Sequence, residues 1–338
     1  MNLSRTEKDI VLSSRIRLAR NIRGYNFSPA LPQEKMEDIN SGLAEVIDRN
    51  PYFKDFTVFN INDLDELDRV VLKEKKIISE RYYRNGGGIV VTDNLQQTSI
   101  VTGDLDHIRI SSVQEGLNID KALLKTLEIE KELSGRFEFA STKEDGYLTV
   151  NVSDSGMAVK GSVYLHLPVL SASDLMDHYI INTLESMLEV TGFSGGGAHS
   201  LGGFYIISNK NSFFPDEMFL AELLNKTAKE FIEQEREVRE DLIEGKYPGL
   251  EDKVFRSLGI IKYCRQISEL EAISVLSMIR LGISVNWIDD LTIDDITMVL
   301  GTIGNGYLRS LSYESKPDET EIMRLRAETI RDNLNLKS

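Results

Sequence analysis

Short strand-like segments follow one another closely through the first two thirds of the chain, and glycine and aspartate residues separate several of them. Close spacing favours antiparallel pairing, because tight turns join antiparallel neighbours whereas parallel strands need long crossover connections. Helical patterns at 119–133 and 175–190 lie between these segments, so an α+β domain is expected. The predicted strands are 88–92, 98–102, 107–111, 137–142, 147–153, 162–170 and 203–208.

The last third of the sequence shows helical patterns only. A long helix is predicted over 215–244, with Pro215 suited to its first turn, and Gly245 marks its end. Ser268 and Glu271 then form the pattern of a capping box at the start of another helix. These patterns divide the 338-residue chain into an α+β domain at 1–247 and an all-helical domain at 248–338.

Composition and charge exclude several classes of protein. The formal net charge of −15 argues against nucleic acid, or an anionic membrane surface, as the main partner. Cys264 is the single cysteine, which excludes an intrachain disulfide and a multi-cysteine zinc site and favours a reducing compartment. No apolar run is long enough to span a bilayer, and we expect a cytoplasmic protein.

The stretch VLSSRIRLARNIRG, residues 11–24, carries four arginines and no acid. If it is extended, Arg15 and Arg17 share one face while Ile16 and Leu18 take the other. Neighbouring guanidinium groups repel each other unless an anion lies between them, and their planar forks match phosphate oxygens. A polyphosphate clamp is one interpretation. A solvated edge whose arginines pair with the chain's many acids is the other.

A second basic position follows an aspartate-rich turn in TGDLDHIRI, residues 102–110. Arg109 would lie on a strand close to turn carboxylates, an arrangement that suits phosphoryl transfer, because cations neutralise the phosphates and a carboxylate orients the nucleophile. The structural alternative treats Asp104 and Asp106 as turn formers and His107 as a packed histidine. A metal cluster is disfavoured, since no further histidine or cysteine lies nearby in sequence.

Taken together, these motifs resemble the ATP:guanido phosphotransferase (phosphagen kinase) family, and most closely its bacterial branch, the protein arginine kinases. The resemblance implies a phosphagen-kinase-like fold, of the glutamine-synthetase/guanido-kinase type, followed by a C-terminal helical domain. It also implies transfer of the γ-phosphoryl group of ATP, with Mg²⁺, to an arginine side chain within another protein. The matching segments, in the family's order, are 9–22, 74–79, 106–110, 166–170 and 250–257.

The resemblance assigns roles to individual residues. Asp104 takes the position of a family glutamate and is the candidate catalytic carboxylate. No residue is assigned as a protein ligand of a metal. The candidate nucleotide-binding residues are Ser14, Arg15, Arg17, Arg109, Lys160 and Ser162.

Departures from the family concentrate where its chemistry takes place, on the acceptor side and in part on the phosphate side. The family motif Asn-Glu-Glu-Asp-His reads Gly-Asp-Leu-Asp-His at 103–107, so Leu105 replaces the second glutamate, which grips the guanidinium. Asn151 replaces the reactive cysteine, and Lys160 replaces an arginine. Residues 191–198 lack the family's arginine and glutamate, and Ile322 begins a segment that lacks half of the phosphoarginine-recognition motif.

Two functions follow from this combination. The first is a protein arginine kinase whose altered acceptor side leaves activity weak or absent. The alternative is a pseudokinase, a regulatory or adaptor protein that binds nucleotide or partner proteins without phosphoryl transfer. A small-guanidine kinase is disfavoured. The resemblance further implies a homodimer and, as partners, a zinc-binding activator, a heat-shock repressor and the Clp protease machinery.

Overall fold

The structure is a computed structural model, and it describes residues 7–28, 30–173, 175–184, 186–193, 200–312 and 317–336. The strands are β1 Val11–Arg20, β2 Phe56–Asn60, β3 Ile89–Asp93, β4 Thr98–Thr102, β5 Ile108–Glu115, β6 Ser141–Thr142, β7 Gly146–Tyr147, β8 Val159–His166, β9 Leu188–Gly192 and β10 Phe204–Asn209. The helices are α1 Gln33–Arg49, α2 Glu66–Glu74, α3 Glu80–Asn85, α4 Ile119–Ser134, α5 Pro168–Ala172, α6 Met176–Leu184, α7 Glu217–Ile243, α8 Pro248–Tyr263, α9 Glu269–Ser284, α10 Ile293–Leu300, α11 Asn305–Ser310 and α12 Glu319–Asn333.

The chain divides into two compact units. The sheet unit comprises 13–162 and 208–225, and the helix-rich unit comprises 1–12, 163–207 and 226–338. This division differs from the sequence boundary at 247, because strands β1, β8 and β10 each have residues in both units. The boundary at 247 stays a prediction about sequence domains.

The sheet unit is built on antiparallel strands in the order β2-β3-β4-β5-β1-β8. Antiparallel pairing joins β2 to β3, β3 to β4, β4 to β5 and β5 to β1. In the last pair Leu18 lies opposite Ile110, and both side chains are fully buried. Helix α4 packs against β5. The predicted fold class, a mainly antiparallel sheet flanked by helices, is confirmed.

The helix-rich unit holds the strand order β8-β10-β9 and helices α8 to α12. A buried ionic network ties its N-terminal segment to α7, because Arg239 pairs with Asp9 at 2.7 Å and with Glu235 at 2.8 Å. Glu235 also accepts hydrogen bonds from the amides of Val169 and Leu170, the first turn of α5. The predicted cap of α9 is present, since Ser268 accepts a hydrogen bond from the amide of Glu271.

Several element predictions are wrong in extent. The predicted strand at 162–170 ends at His166, because Pro168 begins α5. The predicted helix at 175–190 stops at Leu184, and its last residues enter β9. The segments 137–142 and 147–153 keep only the two-residue strands β6 and β7. Helices α1 to α3 and strand β2 had no sequence prediction.

Two features bear on the predicted surroundings of the protein. No described helix combines the length and the apolar character that crossing a bilayer requires. Cys264 is a free thiol at partial exposure, following the last residue of α8.

Two arginine–glutamate ion pairs of the sheet unit differ in burial, so their contributions to the free energy of unfolding can be compared. Arg20 is fully buried and pairs with Glu130 at 2.5 Å, whereas Arg23 and Glu138 pair at the surface. Glu130→Gln should lower the free energy of unfolding by about 3 kcal/mol, because it leaves a buried guanidinium without its counter-charge. Urea denaturation measures the change.

Glu138→Gln is the matched control for this substitution. An exposed pair contributes less than about 1 kcal/mol, so its loss should hardly shift the denaturation midpoint. Equal losses in the two variants would contradict the structural role of the Arg20–Glu130 pair.

Candidate active site

Alternation along β1 sends Arg15 and Arg17 to one face of the sheet. Arg15 is buried, and its Nε donates to the hydroxyl of Ser111 at 3.1 Å on the neighbouring strand β5. Its Nη2 donates to the carbonyl of Lys76 at 2.6 Å. Arg17 is partly exposed, and its guanidinium has no hydrogen-bond or ion-pair partner within the described ranges.

Arg109 completes the cluster from strand β5. Its Nη2 donates to the carbonyl of Ile77 at 2.6 Å, and its Nη1 forms an ion pair with Asp104. Its Nε is buried and has no partner among the residues that the structure describes. Burial lowers the pKa of Arg109, the charge of Asp104 opposes this shift, and the charge of Arg17 adds to it. Arg17 and Arg109 therefore repel each other, and an anion placed between them would relieve that repulsion.

Two cavities in the sheet unit share Arg17, Arg109 and Ser79. The first, here the arginine cavity, has a volume of about 260 Å³ and is also lined by Arg15 and several charged residues of α2 and the segment after it. The second, here the central cavity, has a volume of about 380 Å³. Its further charged lining residues are Arg81, Lys160, Asp104, Asp106 and Asp154. The predicted arginines thus meet at one place, as a phosphate-binding site requires.

The other two arginines of the same stretch are structural. Arg20 pairs with Glu130, and its guanidinium lies 3.6 Å from the ring centre of Tyr147. Arg23 pairs with Glu138 at 2.6 Å. The sequence left open whether the arginines of 11–24 pair with the chain's own acids. That interpretation is correct for Arg20 and Arg23.

Comparison with known proteins gives the family. A model of the ATP:guanido phosphotransferase C-terminal catalytic domain matches residues 38–238. A model of the protein-arginine kinase McsB C-terminal domain matches residues 248–338.

The chain belongs to the ATP:guanido phosphotransferase family. Among curated relatives, the protein-arginine kinase of Bacillus subtilis is 31% identical, with 98% of this chain and 92% of that protein aligned. The protein-arginine kinase of Halothermothrix orenii is also 31% identical, with 98% and 94% aligned.

Solved structures of the family share the fold. A lombricine kinase matches with a TM-score of 0.61 at 18% identity, covering 71% of this chain and 70% of that one. The duplicated taurocyamine kinase from Schistosoma mansoni, with bound transition state analog components, matches with a TM-score of 0.59 at 22% identity. That match covers 69% of this chain and 34% of the duplicated protein, so this chain spans about a third of it.

The turn that carries the family's glutamates is occupied differently in this chain. Asp104 is buried, with one carboxylate oxygen accepting from the hydroxyl of Ser79 at 2.9 Å and the other paired with Arg109. Leu105, which the resemblance aligns with the family's second glutamate, lines the central cavity. Both oxygens of the remaining acid are therefore engaged by the protein itself.

Asp106 and His107 hold the turn in place. One oxygen of Asp106 accepts from the side-chain amide of Asn21 at 2.7 Å and from the backbone amide of Val150 at 2.9 Å. Burial raises the pKa of Asp106 against these two hydrogen bonds. His107 Nδ1 accepts from the amide of Ile22 at 2.9 Å, so its Nε2 carries the proton and donates to the carbonyl of Asn26 at 2.9 Å. The packed-histidine interpretation describes this residue.

The other predicted site residues lie at different places. Lys160 lines the central cavity and donates to the carbonyl of Asn209, while Ser162, two residues along β8, is buried and outside both cavity linings. Ser14 faces away from the arginines, where its hydroxyl donates to the carbonyl of Gly116 at 2.7 Å. Asn151 is exposed and donates to Asp154 at 3.2 Å. Of the replaced segment 191–198, residues 194–198 lie outside the described residues, as does His199.

Three residues that line the cavities were not among the site residues predicted from the sequence. Ser79 caps α3 by accepting from the amide of Tyr82, a pattern that Ser-Glu before a helix indicates, but its bond to Asp104 spans 25 residues of sequence. Lys73 and Lys76 also line the arginine cavity. Lys73 directly precedes the matched segment 74–79 and Lys76 lies within it, so their basic character was the available signal. Sequence spacing alone did not predict that Lys73 and Lys76 would line the same cavity as Arg15.

The neutral state of His107 gives a pH prediction. Burial lowers the pKa of His107, so the unfolded chain binds this proton more readily than the folded chain does. Stability is then retained above the unfolded pKa of about 6.5 and lost as the pH falls below it. Between pH 7.5 and 5.5 the wild type should lose about 1 kcal/mol more of its unfolding free energy than His107→Gln.

Chemical denaturation at several pH values and constant ionic strength measures this difference. His178→Gln is the control for the replacement of a histidine by glutamine, because that side chain is exposed on α6. A His107→Gln slope equal to that of the wild type would argue against a neutral, buried His107.

Proposed function

We propose that this chain binds Mg-ATP through its arginine cluster and that its transfer of phosphoryl groups to protein arginine is weak or absent. The relatives named protein-arginine kinase support the nucleotide and the acceptor class. The observation that carries the proposal is the contrast within one site. Three arginines meet at the cavities, whereas the acceptor side presents Leu105 and an aspartate already bound by the protein.

The nucleotide side retains three of the arginines that the resemblance assigns to phosphate binding, Arg15, Arg17 and Arg109. The carbonyls of Lys76 and Ile77 orient Arg15 and Arg109, so their guanidinium groups are fixed before any ligand arrives. Preorganised cations of this kind stabilise phosphate charge, although for Arg109 a phosphate must first take Nη1 from Asp104. Arg17 lines both cavities and can turn to the ligand without breaking a hydrogen bond to a described residue.

Magnesium fits this site as part of the nucleotide. No group of three or more metal-ligating side chains occurs among the described residues. Mg²⁺ is usually bound through one or two carboxylates together with substrate phosphates and water, and Asp154 faces the central cavity for that purpose. When bound, the ion would neutralise phosphate charge, and the arginines would hold the remainder.

The acceptor side lacks the corresponding chemistry. A guanidinium is a cation and a poor nucleophile, so carboxylates must bind and polarise it. Leu105 can do neither, and Asp104 has both oxygens occupied by Ser79 and Arg109. Loss of one preorganised electrostatic group typically costs about 10²–10³ in rate.

Asp154 supports a second candidate function, an active protein arginine kinase with a relocated carboxylate. It is partly exposed, lines the central cavity, and accepts one described side-chain hydrogen bond, from Asn151 at 3.2 Å. An acceptor arginine entering this cavity could pair with it. A pseudokinase that acts on partner proteins is the form of the proposal in which phosphoryl transfer is absent, whereas a weak kinase would show slow labelling.

The biological setting follows from family membership as a proposal. We expect protein substrates or regulatory partners, including a zinc-binding activator, a heat-shock repressor and the Clp protease machinery. We also expect a cytoplasmic homodimer joined through the helical C-terminal region. Analytical ultracentrifugation of the full chain tests the dimer.

Nucleotide binding can be tested at Arg17. Arg17→Ala should weaken Mg-ATP binding about tenfold or more, because it removes a charge-assisted phosphate contact worth roughly 1.5–3 kcal/mol. Calorimetric titration measures the affinity. Arg23→Ala is the matched control, since that arginine pairs with Glu138 at the surface and should leave the affinity unchanged. Undiminished binding by Arg17→Ala would refute the clamp.

Phosphoryl transfer can be tested at Leu105. Leu105→Glu should raise the formation of acid-labile phosphoarginine on an arginine-rich protein by about tenfold or more, because it restores one carboxylate to the acceptor side. Leu105→Gln has the same length without the charge and should show no gain. The readout is transfer of radiolabelled phosphate from Mg-ATP.

The same assay separates the candidate functions. Rapid labelling by the unaltered chain, lost in Asp154→Asn, would favour the active kinase over the proposal. Nucleotide binding without labelling in the unaltered chain supports the proposal.

A further inference from the structure

We propose that Asp104 acts as a built-in counter-anion for Arg109 that competes with the nucleotide's phosphates, rather than as a catalytic carboxylate. This inference rests on the proposed function, because it concerns the affinity of the same cavity for nucleotide. It assigns Asp104 a role in setting that affinity. The inference is based on the ion pair between Asp104 and Arg109, in which a side chain of the site itself neutralises a phosphate-binding arginine.

The position of Asp104 is fixed from two sides. Gly103, with φ at +75°, and the bond from its amide to the carbonyl of His107 at 3.1 Å close the turn that presents it. The hydroxyl of Ser79 donates to one oxygen at 2.9 Å, and this hydroxyl is itself held by the amide of Tyr82 at 3.0 Å. The second oxygen is thereby aimed at Arg109, and the whole carboxylate is buried.

The donors of Arg109 show what a phosphate would have to displace. Nη2 is committed to the carbonyl of Ile77, which is backbone and neutral, and Nη1 is committed to Asp104. A phosphate oxygen that takes Nη1 replaces one anion by another. The remaining donor, Nε, is buried without a described partner and cannot by itself hold a phosphate in the two-donor geometry that arginine favours.

Electrostatic repulsion by the charge of Asp104 also weakens the binding of phosphate. Asp104 lines the central cavity together with Asp106 and Asp154, so its charge also opposes the entry of a polyanion. Removing that charge would leave Arg109 beside Arg17, with two cations facing the cavities and no carboxylate on Nη1. A nucleotide phosphate would then be the counter-charge that the site lacks.

The test is a double-mutant cycle at residues 104 and 109 with Mg-ATP as the titrated ligand. Asp104→Asn keeps an acceptor for Ser79 and removes the charge that faces Arg109. We expect it to bind Mg-ATP about tenfold more tightly than the wild type, and to be less stable without nucleotide. In the Arg109→Gln background the same Asp104→Asn change should leave the affinity unchanged within about twofold.

Asp154→Asn is the matched control for net charge, since it removes an equal charge from the same cavity without touching a phosphate-binding arginine. Because Asp154 is also the proposed Mg²⁺ ligand, the two variants are compared with metal-free inorganic tripolyphosphate as the titrated ligand. We expect a smaller gain from it than from Asp104→Asn. An equal gain in the two variants, or an equal gain with and without Arg109, would overturn the proposal. So would unchanged or weaker binding by Asp104→Asn.

The outcomes distinguish this inference from the proposed function. If the wild type binds Mg-ATP and Asp104→Asn binds no better, the inference is wrong while the proposed function stands. If neither protein binds Mg-ATP, nucleotide binding itself is refuted and the inference falls with it. Binding by the variant alone supports competition and shows that Asp104 closes the site in the wild type.

Folding of the variant is followed by circular dichroism. Should Asp104→Asn be unfolded alone, we expect millimolar inorganic tripolyphosphate to refold it, because the anion supplies the missing counter-charge. A variant that remains unfolded in tripolyphosphate would overturn the inference.

Discussion

The site depends on the pairing of β1 with β5, which places Arg15 and Arg17 on one face of the strand and Ile16 and Leu18 on the other. Ile16 and Leu18 are buried, and a shift of register by one residue would exchange them with Arg15 and Arg17. Burying two guanidinium groups in the core without counter-charges would be costly, and Arg20, the buried arginine of that face, is paired with Glu130. The hydrophobic core therefore fixes the position of the arginines, although it makes no contact with a ligand.

Backbone carbonyl groups then orient the guanidinium groups of the arginines that the strands position. Lys76 adopts a left-handed conformation, with φ at +58°, and its carbonyl accepts from Arg15 while the next carbonyl accepts from Arg109. Neutral acceptors satisfy the donors of a guanidinium without cancelling its charge, so the cluster stays attractive to anions. A carboxylate in the same place would have satisfied the donors and removed the charge, as Asp104 does for Arg109.

The sequence predicted the parts of this arrangement that depend on local periodicity. Alternation gave the shared face of Arg15 and Arg17, and the spacing of short strands gave the antiparallel sheet, because both follow from geometry within a few residues. The contact between Ser79 and Asp104 joins distant segments, and no local pattern encodes it. Arg20 and Arg23 show the same limit, since their partners Glu130 and Glu138 lie more than 100 residues further along the chain.

Loss of acids and retention of cations have unequal consequences for a guanidino kinase site. A triphosphate requires converging cations, and Arg15, Arg17 and Arg109 still meet at the arginine cavity. A guanidinium acceptor carries positive charge, so the same cations repel it unless carboxylates stand opposite them. Because Leu105 replaces one carboxylate and Asp104 is paired with Arg109, the charge of the cavity favours the binding of anions only. Such a cavity can retain affinity for the phosphoryl donor while losing the attraction that brought the acceptor to it.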